Sequence, residues 1–169
     1  MDYYLLLLRI LHIGGGVYWV GGVLIMAFYI SPTVAATAES GQKFVTYLMN
    51  NKKFSAGMTR GGMLTILAGF LLYWHDSSGF TSPWMRSGAG IGFGVGAGFA
   101  LIGFIFGILV GRKTKAMVQL GAQFQGKPTD EQMQQMQSLK KQQTTYLNLS
   151  VVMLVLALWA MAIARYLVF

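Results

Sequence analysis

Apolar positions along this chain gather into four runs, separated by polar stretches rich in lysine and arginine. The first extends from about Tyr3 to Ile30 and is interrupted by Arg9 and His12. The second covers about Met58 to Trp74, the third Gly88 to Gly111 without a charge, and the fourth Tyr146 to Val168 with Arg165 near its end. A helix needs roughly 20 mainly apolar residues to cross the hydrocarbon core of a bilayer. Runs one, three and four meet that length. Run two is marginal, but Arg60 and Trp74 at its flanks are residue types that favour the membrane interface. The pattern predicts an all-α integral membrane protein, a single four-helix transmembrane bundle with spans at 3–30, 58–74, 88–111 and 146–168. The first run has no basic leader segment and no small-x-small cleavage site, so it reads as a retained helix and not as a secretion signal.

The connections carry patterns of their own. From Gly41 to Ala56, Phe44, Val45, Leu48 and Met49 alternate with Lys43, Lys52 and Lys53, which predicts an amphipathic segment over 41–56 lying at the interface. Residues 112–144 are polar and Gln-rich, with Gly126-Lys127-Pro128 as the one clear turn. Thr129 with Gln132 three positions on fits a capping box that starts a helix. Met117, Leu120 and Phe124 form one stripe, and Met133, Met136 and Leu139 another. Helices three and four are therefore expected to continue past the membrane as an antiparallel hairpin, protruding roughly 20 Å at 1.5 Å per residue. The competing reading of this segment is a basic loop without fixed structure.

Composition sharpens this picture. The 169 residues are 54% hydrophobic and 11% charged, against about 25% charged in an average soluble domain. The absence of cysteine excludes a disulfide scaffold, a Cys-ligated iron–sulfur cluster and a zinc ribbon. The net charge of +8 is divided unevenly. Nine basic residues lie in the 1–2 and 3–4 connections: Lys43, Lys52, Lys53, Arg112, Lys113, Lys115, Lys127, Lys140 and Lys141. Only Arg9, Arg86 and Arg165 lie on the opposite side. The positive-inside rule then puts both termini outside a cell membrane and the basic connections in the cytoplasm. The charge is a topology signal, with the lipid bilayer as partner and no nucleic acid required.

Few residues could carry chemistry. None of the five acids lies inside an apolar run, which argues against a proton-carrying carboxylate chain. His12 is the ionisable group inside a span, where such groups are costly and usually functional. On a helix it shares a face with Gly15, Gly16 and Trp19, and the triplet Gly14 to Gly16 leaves flat space beside an imidazole. A porphyrin with histidine as axial ligand needs such a surface. The competing reading is a packing histidine hydrogen-bonded to a neighbouring helix. Arg9, one turn earlier, suits a carboxylate such as a haem propionate, or else snorkels to headgroups. His75, followed by Asp76, is weighed as a second metal ligand with His12, but at the rim of its helix it lies roughly 10 Å from the expected depth of His12 in the outer third of the bilayer. The alternative for His75 is an interfacial ion pair with Asp76. The eleven methionines raise Cu(I) binding but are scattered, as core filler would be. Helix three carries small-residue series, Gly88, Gly92 and Gly96 first among them. They suit close packing against partner subunits, a second copy of the chain, or a flat cofactor.

The stretch Tyr4 to Ile30, YLLLLRILHIGGGVYWVGGVLIMAFYI, resembles helix one of the HemJ-type membrane protoporphyrinogen IX oxidases and the related CopD-type copper-resistance domains. The shared pattern is a Leu-His pair followed by a tryptophan and glycines, here Leu11, His12, Trp19, Gly21 and Gly22. The stretch Phe44 to Trp74 and Trp84 before helix three also look like that family, so the likeness covers about the first 90 residues. The resemblance implies haem b held by His12. The family's second ligand, a lysine at the start of helix three, has no counterpart here, where Gly88 stands. Met85 and His75 are the nearest replacements. The expected function is a haem b-binding membrane protein with a redox or electron-transfer role. The alternatives are a non-catalytic subunit of a larger membrane complex packing through helix three, and CopD-type copper or solute transport.

Overall fold

Four helices in the computed structural model are long and apolar enough to cross a membrane: Tyr3–Ala36, Phe54–Asp76, Gly88–Gly121 and Asp130–Ala164. The structure describes residues 2–124 and 126–168; Gln125, within the expected hairpin, lies outside them. The described residues are helical throughout their regular elements, with no strand.

Helix α1 (Tyr3–Ile25) starts where the Asp2 carboxylate accepts hydrogen bonds from the amides of Tyr4 (3.0 Å) and Leu5 (3.4 Å). The helix does not stop near Ile30 as the apolar run suggests. It passes through a π-helical turn at Met26–Ile30 into α2 (Ser31–Ala36). Pro32 explains the wide turn: it has no N–H, and its ring would meet the carbonyl one turn back in a regular helix. Here the Ser31 amide reaches to the Met26 carbonyl, five positions back, and the helix survives the proline.

The amphipathic element is α3 (Ala38–Asn50), which begins and ends earlier than the expected 41–56. Lys53, in the left-handed region at φ 51°, turns the chain into α4 (Phe54–Asp76), so the second span starts before Met58 and is long enough to cross. A tight loop follows, with Ser78, Gly79 and Phe80 all at positive φ around the fully buried Ser77. Next come a 3-10 turn at Pro83–Arg86 and α5 (Gly88–Gly121). Helix α6 (Asp130–Ala164) starts at the capping box read from the sequence. The Gln132 amide donates to Thr129 Oγ1 at 3.2 Å and the Thr129 amide to Gln132 Oε1 at 3.0 Å.

The spans pack most extensively as two pairs, α1 with α4 and α5 with α6; α4 also meets α5, and α6 meets α1. The α5–α6 pair depends on glycine. A methyl group at Gly92 would come within 2.8 Å of the Ala164 Cβ, and one at Gly103 within 2.9 Å of the Leu154 side chain. Gly88 and Gly96 face Leu167 and Met161 in the same way. The stripe Gly88, Gly92 and Gly96, expected at a subunit or self-association surface, packs within this chain, Gly92 and Gly96 against α6 and Gly88 against Leu167 just beyond it, and all three are buried. Where the backbones touch, Ser150 Oγ donates to the Gly103 carbonyl at 2.9 Å. The pairing continues beyond the apolar runs, where Gln143 Nε2 donates to Thr114 Oγ1 at 2.7 Å. Trp19, Val20 and Val23 of α1 meet Leu147, Val151 and Leu154 of α6 in the core, with Phe104 of α5 edge-on to Trp19 at 5.7 Å. Outward-facing Ile10, Ile13, Val17, Leu67, Ile105 and Trp159 are exposed, as a lipid-facing belt requires.

Gly92 and Gly98 therefore respond differently to the same change. Gly92→Leu overpacks α5 against α6 and lowers stability by about 1–3 kcal/mol. Gly98 has nothing within 4 Å of an added methyl, so Gly98→Leu leaves stability unchanged or raised. Thermal unfolding of both variants in detergent checks the contrast.

Candidate functional site

The α1–α4 contact brings His12 against bare backbone. Small residues recur every fourth position on α4, at Gly61, Thr65 and Gly69, and α1 lies along them. A methyl group at Gly15 would come within 2.7 Å of Thr65 Oγ1, and Gly16 faces Thr65 Cγ2 at 3.6 Å. That approach lets the His12 ring lie across Gly69, where an added methyl would come within 2.6 Å of its Cε1.

His12 Nδ1 lies 2.8 Å from the Thr65 carbonyl oxygen. A carbonyl only accepts, so Nδ1 carries the hydrogen and donates it. In the neutral ring, Nε2 then holds a bare lone pair. No hydrogen bond to Nε2 is formed among the described residues, and no buried side-chain nitrogen or oxygen among them lacks a partner, so Nε2 is not sealed in the protein. Thr65 turns its own hydroxyl away, donating to the Gly61 carbonyl at 2.8 Å, and leaves its carbonyl to the histidine.

The other expected site residues fall as follows. Gly15, Gly16 and Trp19 do share a helix face with His12, but that face is laid on protein. The two glycines meet Thr65, and Trp19, 4% exposed, packs between Gly62 and Phe104. Arg9 is exposed, one turn before His12. His75 is exposed at the far end of α4, donating from Nδ1 to Asp76 Oδ1 at 3.3 Å. His12 meets α4 at Thr65 and Gly69, near the middle of that helix. His75 lies beyond Gly69 by roughly 9 Å of helix rise. The two histidines are not brought together. Met85, in the 3-10 turn before α5, is half-buried. No group of three or more His, Cys, Asp or Glu among the described residues is arranged to hold a metal ion.

Sequence reasoning missed Thr65 and Gly69. The spacing Gly61-x-x-x-Thr65-x-x-x-Gly69 is a small-residue series like those noticed in α5, and it was there to be read. Chemically, the arrangement holds one imidazole in a fixed orientation by its Nδ1–H, with Nε2 uncommitted to any protein group among the described residues. A histidine that ligates a metal commonly has its other N–H held in this way by a backbone carbonyl. No family model, curated protein or solved structure matches the chain.

Gly69→Ala displaces the imidazole and breaks its bond to the Thr65 carbonyl. In ¹⁵N-histidine NMR spectra of the full chain, the Nδ1–H tautomer signature of His12 is expected to weaken or disappear. The His75 signals stay unchanged. The net loss of stability is about 1 kcal/mol, the ordinary contribution of one such hydrogen bond.

Proposed function

We propose that this chain is an integral membrane haem b-binding protein in which His12 Nε2 is an axial ligand of the iron, with a redox or electron-transfer role. The observation that carries the reading is the 2.8 Å bond from His12 Nδ1–H to the Thr65 carbonyl, which fixes the tautomer a metal ligand needs. The resemblance of helix one to the HemJ-type and CopD-type proteins points the same way. Bound haem supplies one-electron iron chemistry, tuned by its axial ligand and by the polarity around it. Gly69 and Thr65 orient the ring, and Gly15 and Gly16 act indirectly by letting α1 approach α4. Arg9, one turn toward the N-terminus, is the cation nearest in sequence for a propionate. No lysine stands on α5 before Lys113, so the reading does not extend to protoporphyrinogen oxidation.

The same reading makes the four spans a transmembrane bundle in a cell membrane, with both termini outside and the α5–α6 extension a cytoplasmic hairpin. The bias of lysine and arginine toward the α3 region and the 112–144 connection supports that orientation.

Absorption spectra of the purified full chain after haem-supplemented expression test the proposal. A Soret band is expected in the wild type, its loss in His12→Ala and its retention in His75→Ala. A wild type without the band overturns haem binding, and a band retained in His12→Ala overturns the ligand assignment.

A further inference from the structure

At the end of the spans where the basic residues collect, α3, the first turns of α4 and the part of α5 beyond its apolar run enclose an open groove of about 530 Å³. Three cationic side chains line it: Lys53 at the α3–α4 corner, Arg60 on α4 and Lys115 on α5. No carboxylate is among its lining residues. The ion pairs formed among the described residues are Lys43–Glu39 and His75–Asp76, so none of the three cations is neutralised there. Ser55 presents a hydroxyl in the same groove. Three like charges lining one groove without a counter-charge repel one another, and an anion bound among them relieves that repulsion.

We infer that this groove binds the phosphate-bearing head of an anionic phospholipid. Three observations favour a lipid over free phosphate. The volume is many times the roughly 30 Å³ that a water molecule takes in the liquid, and so exceeds what an inorganic phosphate fills. The lining is amphipathic, with Met49 and Val118 beside the cations, as the junction of a headgroup and its acyl chains requires. The groove also lies at interface depth. It includes Gly111, where the apolar run of α5 gives way to Arg112 and Lys113, and it adjoins α3, whose exposed Phe44 and Tyr47 are residues suited to the headgroup layer. Basic pockets between spanning helices on the positively charged side are known sites for anionic headgroups. The inference does not depend on haem binding at His12, which sits near the middle of the spans.

Native mass spectrometry of the full chain in detergent tests it, titrated separately with phosphatidylglycerol, phosphatidylcholine and inorganic phosphate. One phosphatidylglycerol is expected to be retained at least about tenfold more strongly than phosphatidylcholine. The combined variant Lys53→Gln, Arg60→Gln and Lys115→Gln should remove most of that preference, since each basic residue near an anionic head contributes separately. The charge-matched control Lys127→Gln, Lys140→Gln and Lys141→Gln should keep it. Equal retention of the two lipids overturns the site, as does an equal loss in the control, which would reduce it to general surface charge. Displacement of the lipid by inorganic phosphate at comparable concentration overturns the choice of a lipid head. If the combined variant does not purify, Lys115→Gln alone is expected to lower the preference, and an unchanged value counts against the groove.

Discussion

In hydrocarbon, a leucine gains little by leaving lipid for a neighbouring helix, so the pairing of spans rests on close contact and on hydrogen bonds that lipid cannot offer. This chain meets that constraint twice with the same device. On α5, Gly92, Gly96 and Gly103 admit the side chains and backbone of α6, and Ser150 then reaches the buried Gly103 carbonyl. On α4, Gly61, Thr65 and Gly69 admit α1, and His12 reaches the Thr65 carbonyl. In both pairs a polar side chain of one helix is satisfied by a main-chain oxygen of the other, at a height where small residues bring the backbones together. The large apolar side chains are left for the lipid-facing surface and for the Trp19–Leu154 core between the pairs.

How much of this was legible follows from which features are local. The apolar helices, the amphipathic helix and the Thr129–Gln132 cap depend on residues within one or two turns of each other, and they stand in the sequence with boundary shifts of a few positions. The first helix outruns its apolar run because one wide turn absorbs Pro32 and the polar residues beyond Ile30 stay helical to Ala36. Span two is marginal when counted from Met58, because residues up to Ala56 read as part of the amphipathic segment; the left-handed Lys53 ends that segment and lets the helix begin at Phe54. The identity of what fills a glycine stripe is not local at all. Periodicity gives the stripe Gly88, Gly92 and Gly96, but only the register of α6 supplies Ala164 and Met161 to cover it.

The candidate site divides in the same way. That His12, Gly15, Gly16 and Trp19 share a face is a matter of helical spacing and was readable. That the face meets Thr65 and Phe104 depends on the height and rotation of α1 against α4 and α5, which no single run encodes. The height at which His12 meets its partner is set the same way: it contacts α4 at Thr65 and Gly69, near the middle of that helix.

That height gives the half-satisfied imidazole its meaning. A polar atom left without a partner away from water costs about 1–3 kcal/mol, and ionisable groups inside spans persist mainly where they are used. His12 has one ring nitrogen committed to the Thr65 carbonyl and the other uncommitted. A histidine needed only to pair two helices could be replaced there by a threonine or serine, as at Ser150, which bonds its carbonyl with a single hydroxyl. The ring keeps a second nitrogen at a height where α4 offers it only backbone and small residues. That nitrogen, and not the ring's contribution to packing, is what sets the α1–α4 contact apart from the α5–α6 contact it otherwise duplicates.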